Sequence, residues 1–353
     1  MTVHAPFAFQ LAPQAKWAFT TRRVHRGDAA GLIRDLGAAR PGDLVLARIE
    51  RIGSHKNVQL SEGRPSELYP GDLVVLACGA RYAADQFEGV AELDPDGADM
   101  LAGGGVLGRM RAAHGRMSAP TRAIPLGLLA DRHGVALNLA RYAIAPAARP
   151  AGLTAICVVG ASMNSGKTAA TASLAHGLAR AGRRVAAIKA TGTGAFGDVN
   201  AYRDAGAHVA LDFTDAGMAS TYGAPHARIA AAIDALMAEA ARAGADVAVV
   251  EVADGVLQTE TDALLADPAT RSAFAGVLFA APDALAAVGG VAALARREIV
   301  PVALTGLIAR APLLVAEAEA ATGLPILSRE ALRDPAEAIA LLHRLEAPRA
   351  AAA

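Results

Sequence analysis

The sequence predicts an α/β protein: a C-terminal, mostly parallel sheet with helices on both faces, preceded by a smaller β-rich domain. Three observations predict it. The apolar run Leu153 to Val159 stops at a small-residue loop that closes on Gly166-Lys167-Thr168, and a helix-forming stretch follows. Beyond that loop, short apolar runs alternate with segments of helical period, the texture of repeated βα units. Before it, Pro41-Gly-Asp and Pro70-Gly-Asp each make a turn that feeds a run rich in β-branched residues.

Taken in order, residues 1–20 are expected to be an extension packed on a small antiparallel sheet or barrel over 20–145, with Gly103-Gly104-Gly105 supplying a further turn. Pro146-Ala-Ala-Arg-Pro150-Ala-Gly152 is a natural joint, so the expected domains are 1–148 and 149–345, with 346–353 a disordered tail. After the joint come strand 153–159, helix 167–181, strand 184–190, a polar loop and a short strand at 208–213. Helix 225–243 carries Ile229, Ile233, Leu236 and Ala240 at helical spacing. Strands 246–252 and 276–280, helix 283–297, strand 300–305, helix 311–322 and a last edge at Pro325-Ile-Leu complete the pattern. The apolar strands read as continuous runs, as strands covered on both faces do. In such sheets ligands bind at the carboxyl ends of the strands.

Composition bounds the rest. A chain of 353 residues, 53% hydrophobic and 19% charged, has enough apolar surface for about two globular domains. Aromatics are only 4%, so the cores must close-pack small aliphatic side chains. Lys plus Arg and Asp plus Glu are both 34, so there is no bulk electrostatic case for nucleic acid or an anionic membrane. Two cysteines, Cys78 and Cys157, make no disulfide framework, and no Cys/His grouping has zinc spacing. No signal peptide or long uninterrupted apolar run is evident, which points to a soluble, cytoplasmic protein.

Gly160-Ala161-Ser162-Met163-Asn164-Ser165-Gly166-Lys167-Thr168 lies between a strand and a helix, as a phosphate-binding loop requires. Successive backbone N–H groups point into such a loop and the helix N-terminus adds positive potential, so main chain holds most of a polyphosphate. Lys167 would reach the β- and γ-phosphates and the Thr168 hydroxyl would ligate Mg²⁺. The usual glycine six residues before the lysine is here Ala161, with the glycine one place earlier at Gly160. Ser162 stands where partitioning-type ATPases carry a second lysine.

Further motifs fall at strand ends. Lys189-Ala-Thr191-Gly-Thr193-Gly closes the second strand and suits a second anion site. Asp198, Asp204, Asp212 and Asp215 follow in a short window. Phosphate-bound Mg²⁺ takes one or two carboxylates. Asp212, ending a strand, and Asp198, in a loop, rank equally, and the others read as caps and loop charges. Ser220-Thr221-Tyr222 is either a polar-substrate contact or a capped turn. The run Asp246 to Glu251 is a buried strand ending in a carboxylate that would hold Mg²⁺ or polarise the attacking group, with Asp254 and Gly255 just beyond. Gln258, Thr259, Glu260 and Thr261 are expected to line the following loop as candidate substrate contacts. Arg48, Arg51, His55 and Lys56 read as a solvated strand and turn.

In this order the motifs place the chain among the P-loop NTPases and resemble dethiobiotin synthetase and the cobyrinic acid amide synthases. The likeness covers about 153–305 and rests on Gly160 and Gly166-Lys167-Thr168, on Lys189-Ala-Thr-Gly-Thr-Gly, on an acidic residue in the next loop, and on Glu251 with Gly255 after it. The resemblance implies carboxylate or carbamate activation: a substrate oxygen attacks the γ-phosphate of ATP, and a nitrogen then displaces phosphate. Lys167 and Lys189 would clamp the transferring group, Thr168, Glu251 and one Asp would hold Mg²⁺, and Thr191, Thr193 and Asp254 would face the substrate. Where those synthetases place a base-reading asparagine, this chain has Thr305, so ATP is preferred on the superfamily's habit. The Thr-Gly-Thr-Gly and Asp254-Gly-Val-Leu segments are also similar to the P-loop family of the D-glutamate N-acyltransferases, which carries an N-terminal domain as well. Three readings follow: an Mg-ATP-dependent ligase of a small carboxylate or amino acid, a transferase using the loop for another phosphate compound, or a nucleotide switch or chaperone. The expected partners are nucleotide, small-molecule substrate and a second copy of the chain, with no nucleic acid and no membrane.

Overall fold

The computed structural model describes residues 14–346. The expected N-terminal extension lies mostly outside that range. Of the expected tail, Glu346 closes a helix and the remainder lies outside it. The chain folds into two compact units. The first comprises residues up to 145 together with 192–196 and 213–224, and the second comprises 146–191, 197–212 and 225 onward.

Strands of the first unit are β1 (Lys16–Trp17), β2 (Gly31–Ile33), β3 (Leu44–Arg51), β4 (Asn57–Gln59), β5 (Pro65–Glu67), β6 (Leu73–Cys78), β7 (Phe87–Val90), β8 (Ala98–Ala102), β9 (Val106–Ala113) and β10 (Thr121–Ala130). Hydrogen bonds run β6-β3-β10-β8-β9 and return from β9 to β6, so five strands close into a ring. A closed ring has no bare edge. Its pairs are antiparallel except β6 with β9. The Pro-Gly-Asp turns lead into β3 and β6, which pair with each other. Period-two alternation then divides their side chains. Leu44, Leu46, Val75 and Ala77 join Trp17 and Leu101 in one cluster, and Val45, Ala47, Val74 and Leu76 join Met100 and Leu107 in another. Each such valine or leucine contributes about 1.5–3 kcal/mol when fully buried. Arg48, Arg51 and Lys56 are exposed, the solvated strand and turn their sequence suggests. Among them only His55 is enclosed, and burial beside Arg81 lowers its pKa to about 4.

The second unit is built from β11 (Thr154–Gly160), α1 (Lys167–Arg180), β12 (Val185–Lys189), α2 (Phe196–Asp204), β13 (Val209–Asp212), α3 (His226–Arg242) and β14 (Val247–Glu251). It continues with α4 (Thr259–Ala266), α5 (Pro268–Arg271), β15 (Gly276–Ala280), α6 (Ala284–Ala295), β16 (Ala303–Thr305), α7 (Pro312–Thr322), α8 (Arg329–Arg333) and α9 (Pro335–Glu346). The six strands are all parallel, in the order β13-β12-β14-β11-β15-β16. They are apolar except at their ends, and alternate residues feed opposite layers. Ile156, Val158, Val247, Val249 and Leu278 pack with Leu174 and Leu178 of α1 and Leu341 of α9.

Three stretches differ from the sequence reading. Residues 196–204 are helical where a polar loop is expected, because Gly192, Gly194 and Gly197 mask a short helix with Val199 and Tyr202 buried. Gln258–Thr261 is a helix start, with the Gln258 side chain accepting from Thr261 N at 2.9 Å. Pro325-Ile-Leu makes a single parallel bridge, Leu304 with Ile326, and no strand.

Candidate nucleotide site

In this sheet β11 lies between β14, which follows three strands later, and β15, so the chain reverses its direction of winding at β11. A crevice opens at such a point beyond the strand's carboxyl end. Residues 160–168 occupy it. Gly160 ends β11 with Ser165 folded over it, since a Cβ on Gly160 would lie 2.3 Å from Ser165 Oγ. Asn164 (φ 63°) and Gly166 (φ 107°) adopt left-handed backbone, and Gly166 leads directly into α1. At Gly166 a Cβ would lie 2.9 Å from Gly306 Cα, so both its φ and its neighbour call for glycine. Leu307 N donates to Ser165 O at 3.1 Å, fixing the loop from outside. The first N–H groups of α1 have no intrahelical acceptor, the feature that lets a helix start bind an anion. The Ser165 hydroxyl is buried with no hydrogen-bond partner among the described residues.

Charged groups collect beside this loop. Lys167 Nζ donates to Ser162 O at 2.8 Å, and burial lowers its pKa against the pull of Glu251 and Asp254. Glu251, 2% exposed at the end of β14, receives three neighbours. Thr168 Oγ1 donates to its Oε1 at 3.1 Å, Tyr202 Oη donates to its Oε2 at 2.5 Å, and Lys189 Nζ lies 3.7 Å from its Oε1. Lys189 is paired with Asp198 and stands beside Asp212 of β13 in register. Burial opposes its charge, yet Glu251 and Asp198 hold its pKa above the ordinary lysine value. Tyr202 is fully buried, and burial together with Glu251 keeps its phenol protonated.

Asp254 stands in left-handed backbone at φ 62°. Burial raises its pKa to about 6, with Lys167 and Lys189 pulling the other way. The next residue, Gly255, packs so closely on the loop that a Cβ would lie 2.4 Å from Ala161 O. Val256 N donates to Gly160 O at 3.0 Å, so this strand-end turn and the 160–168 loop form one piece.

The structure therefore gathers Gly160 to Thr168, Lys189, Asp198, Asp212, Glu251 and Asp254 at one end of the sheet. The remaining candidates are engaged as follows. Thr191 Oγ1 accepts from Ala253 N at 2.8 Å and ties the end of β12 to the end of β14. Thr193 belongs to the first unit, where it bridges Ser220. Asp215 also belongs there, paired with Arg22 at 2.6 Å. Thr305 is 1% exposed and its hydroxyl donates to Leu327 O at 2.8 Å, an engagement that ties β16 to the next turn. Tyr202 escapes the sequence reading. Its signal was the spacing Asp198 to Tyr202, four residues apart on one helix face, hidden once 196–204 is read as loop.

Two ammonium groups, Lys167 and Lys189, stand among four carboxylates: Asp198, Asp212, Glu251 and Asp254. Among the described residues no three His, Cys, Asp or Glu side chains are placed to hold a metal by themselves. For a cation shared with phosphate oxygens, Thr168 and Glu251, 3.1 Å apart, offer an oxygen pair. The unpartnered Ser165 hydroxyl and the open helix N–H groups fit the phosphates. A cavity of about 600 Å³ elsewhere in the unit, lined by Cys157, Leu264, Phe274, Gly276 and Ile299, includes none of the loop residues. Burial pushes the Cys157 thiol up to about 12, so this cavity carries no reactive group there.

No protein-family model matches the sequence, and no curated protein does. Among solved structures, the signal recognition particle receptor FtsY of Elizabethkingia anophelis matches at 20% identity and TM-score 0.31, over 46% of this chain and 53% of that one. The signal recognition particle 54 kDa protein of Aeropyrum pernix K1, in complex with GDP, matches at 18% identity and TM-score 0.34, over 57% of this chain and 50% of that one. This chain thus spans about half the length of either. Among the described residues no helix is long and apolar enough to cross a membrane. Strand order, loop geometry and the carboxylate ending β14 together make the second unit an α/β P-loop domain.

Proposed function

We propose that this P-loop domain binds a magnesium nucleoside triphosphate, ATP in our reading, and activates a small carboxylate or amino-acid substrate by phosphoryl transfer, as a ligase. The observation that carries the proposal is the Glu251 carboxylate, held between Thr168, Tyr202 and Lys189 beside the loop. Main-chain N–H groups and Lys167 hold the phosphates. Thr168 and Glu251 hold Mg²⁺, with Asp198 or Asp212 as the further carboxylate. The metal would supply charge neutralisation at the phosphates. Lys189, kept cationic by its carboxylate neighbours, faces the charge that develops on the transferring group, where fixed charges in a water-poor site act most strongly. The resemblance to dethiobiotin synthetase supports the same assignment of Lys167, Lys189, Thr168 and Glu251.

Asp254 favours a second reading, N-acyl transfer with the loop holding a phosphate-bearing donor. A carboxylate whose pKa is near 6 is suited to take a proton from an amine nucleophile at neutral pH. Phosphate release from ATP, measured with and without a panel of small carboxylates and amino acids, separates the two. The ligase reading expects release that requires one added substrate. Nucleotide binding with no substrate-dependent release overturns it and leaves the acyl-transfer reading.

A further inference from the structure

We propose that the first unit carries a second ligand site, a pocket for a small organic ammonium ion walled by Tyr82, Tyr222 and Glu88. The pocket is a cavity of about 330 Å³ in which Ala112, Ala113 and His114 complete the lining. Its construction follows from strand alternation. On β7, Phe87 turns into the core and Glu88 turns out. Glu88 stands opposite Ala112 of β9, whose small side chain leaves the space open. The rings of Tyr82 and Tyr222, 5.7 Å apart and inclined at 51°, meet at a corner of the cavity wall. Tyr222 Oη donates to Glu88 Oε1 at 3.1 Å and fixes the carboxylate beside that corner. The hydroxyls before it hold the turn: Ser220 Oγ accepts from Tyr222 N at 3.1 Å and Thr221 Oγ1 accepts from Gly192 N at 2.9 Å. The Ser220-Thr221-Tyr222 segment is therefore a turn that presents an aromatic ring.

Charge selects the ligand class. Among the described residues Glu88 has no ion pair. Arg109 and Arg111 on the adjacent strand are both committed to Glu92, and Arg81 gives its guanidinium to Leu101 O and Gln86 Oε1. A half-buried carboxylate repels anions, and a neutral ligand would leave it desolvated without compensation. A metal ion would need more oxygens than this corner offers. An organic cation satisfies the carboxylate and both rings together. A volume of about 330 Å³ lies at the small end for ligand cavities and suits a trimethylammonium compound or short diamine.

The test is calorimetric titration of the full chain with choline and with its neutral isostere 3,3-dimethylbutan-1-ol, a comparison within the unaltered protein. Choline is expected to bind at least about tenfold tighter, within the range of a cation against two aromatic rings plus one carboxylate. Glu88→Gln should abolish that preference and Tyr82→Leu should weaken choline about fivefold. Both variants should keep the wild-type unfolding temperature and nucleotide binding. Equal binding of the two probes, no binding of choline at millimolar concentration, or an undiminished preference in Glu88→Gln would each overturn the proposal.

Discussion

The two units treat charge differently. In the barrel unit the buried Asp215 is matched by Arg22 and Arg23, and ion pairs such as Arg26–Glu62 and Arg109–Glu92 are about half exposed. Pairs of that kind contribute little to stability and chiefly keep the surface solvated. In the P-loop unit, Lys189 and Glu251 are 12% and 2% exposed at the side chain, 3.7 Å apart, with a surplus of carboxylate around them. Burying such groups can cost more than their mutual attraction returns, so a cluster like this marks a candidate site. The proposed function rests on this difference: there the surplus carboxylates would meet a cation and the phosphates it carries.

The comparison is open to test at several points. The largest effect is expected from Glu251→Gln, which should lower substrate-dependent phosphate release about 100-fold in steady-state assays while leaving the protein folded. Full activity in that variant would remove Glu251 from the site. Next comes the barrel. Leu76→Ala should cost about 2–5 kcal/mol in denaturant unfolding, as for other buried leucines, with nucleotide affinity unchanged. A matching loss of affinity would break the contrast between a structural unit and a catalytic one.

Asp254 offers a pH test. Its folded pKa, about 6, lies above the unfolded value near 3.8, so the native state binds the extra proton. Stability from this group is complete below about pH 4 and is lost as pH rises through 6, by about 2–3 kcal/mol. Asp254→Asn should therefore unfold at a higher temperature than wild type at pH 7.5 and at the same temperature at pH 4. Identical curves at both pH values would contradict the assignment. The smallest effect is that of Tyr202→Phe. Losing one hydrogen bond to a carboxylate is worth about 1–2 kcal/mol. It should raise the Mg²⁺ concentration needed for half-maximal activity about tenfold, whereas a purely structural tyrosine would lower only the unfolding temperature.

Legibility follows the same divide. The P-loop unit was readable because each buried parallel strand is an unbroken apolar run with its chemistry at the carboxyl end, as at Val159 to Lys167 and Val250 to Glu251. Short helices were not. Gly192, Gly194 and Gly197 carry turn signals that outweigh the brief apolar spacing of Val199 and Tyr202, and the residue holding Glu251 went with them. In the β-rich region the two Pro-Gly-Asp turns marked β3 and β6 correctly. Ring closure depends on β9 meeting β6, and strand partnership across long sequence separations leaves no local trace. The involvement of 192–196 and 213–224 in the first unit was equally hidden, since nothing in Thr193 or Tyr222 states which partner strand it will meet.

The central claim is that the main chain from Gly160 to Thr168 holds a polyphosphate with Lys167 over it. Isothermal titration of ATP and GTP into the full chain at millimolar Mg²⁺, with Lys167→Ala alongside, tests it most directly. The account predicts saturable binding of at least one nucleotide and its loss in Lys167→Ala with the unfolding temperature of the free protein kept. Binding of neither nucleotide to the wild type, or equal binding to the variant, would contradict it.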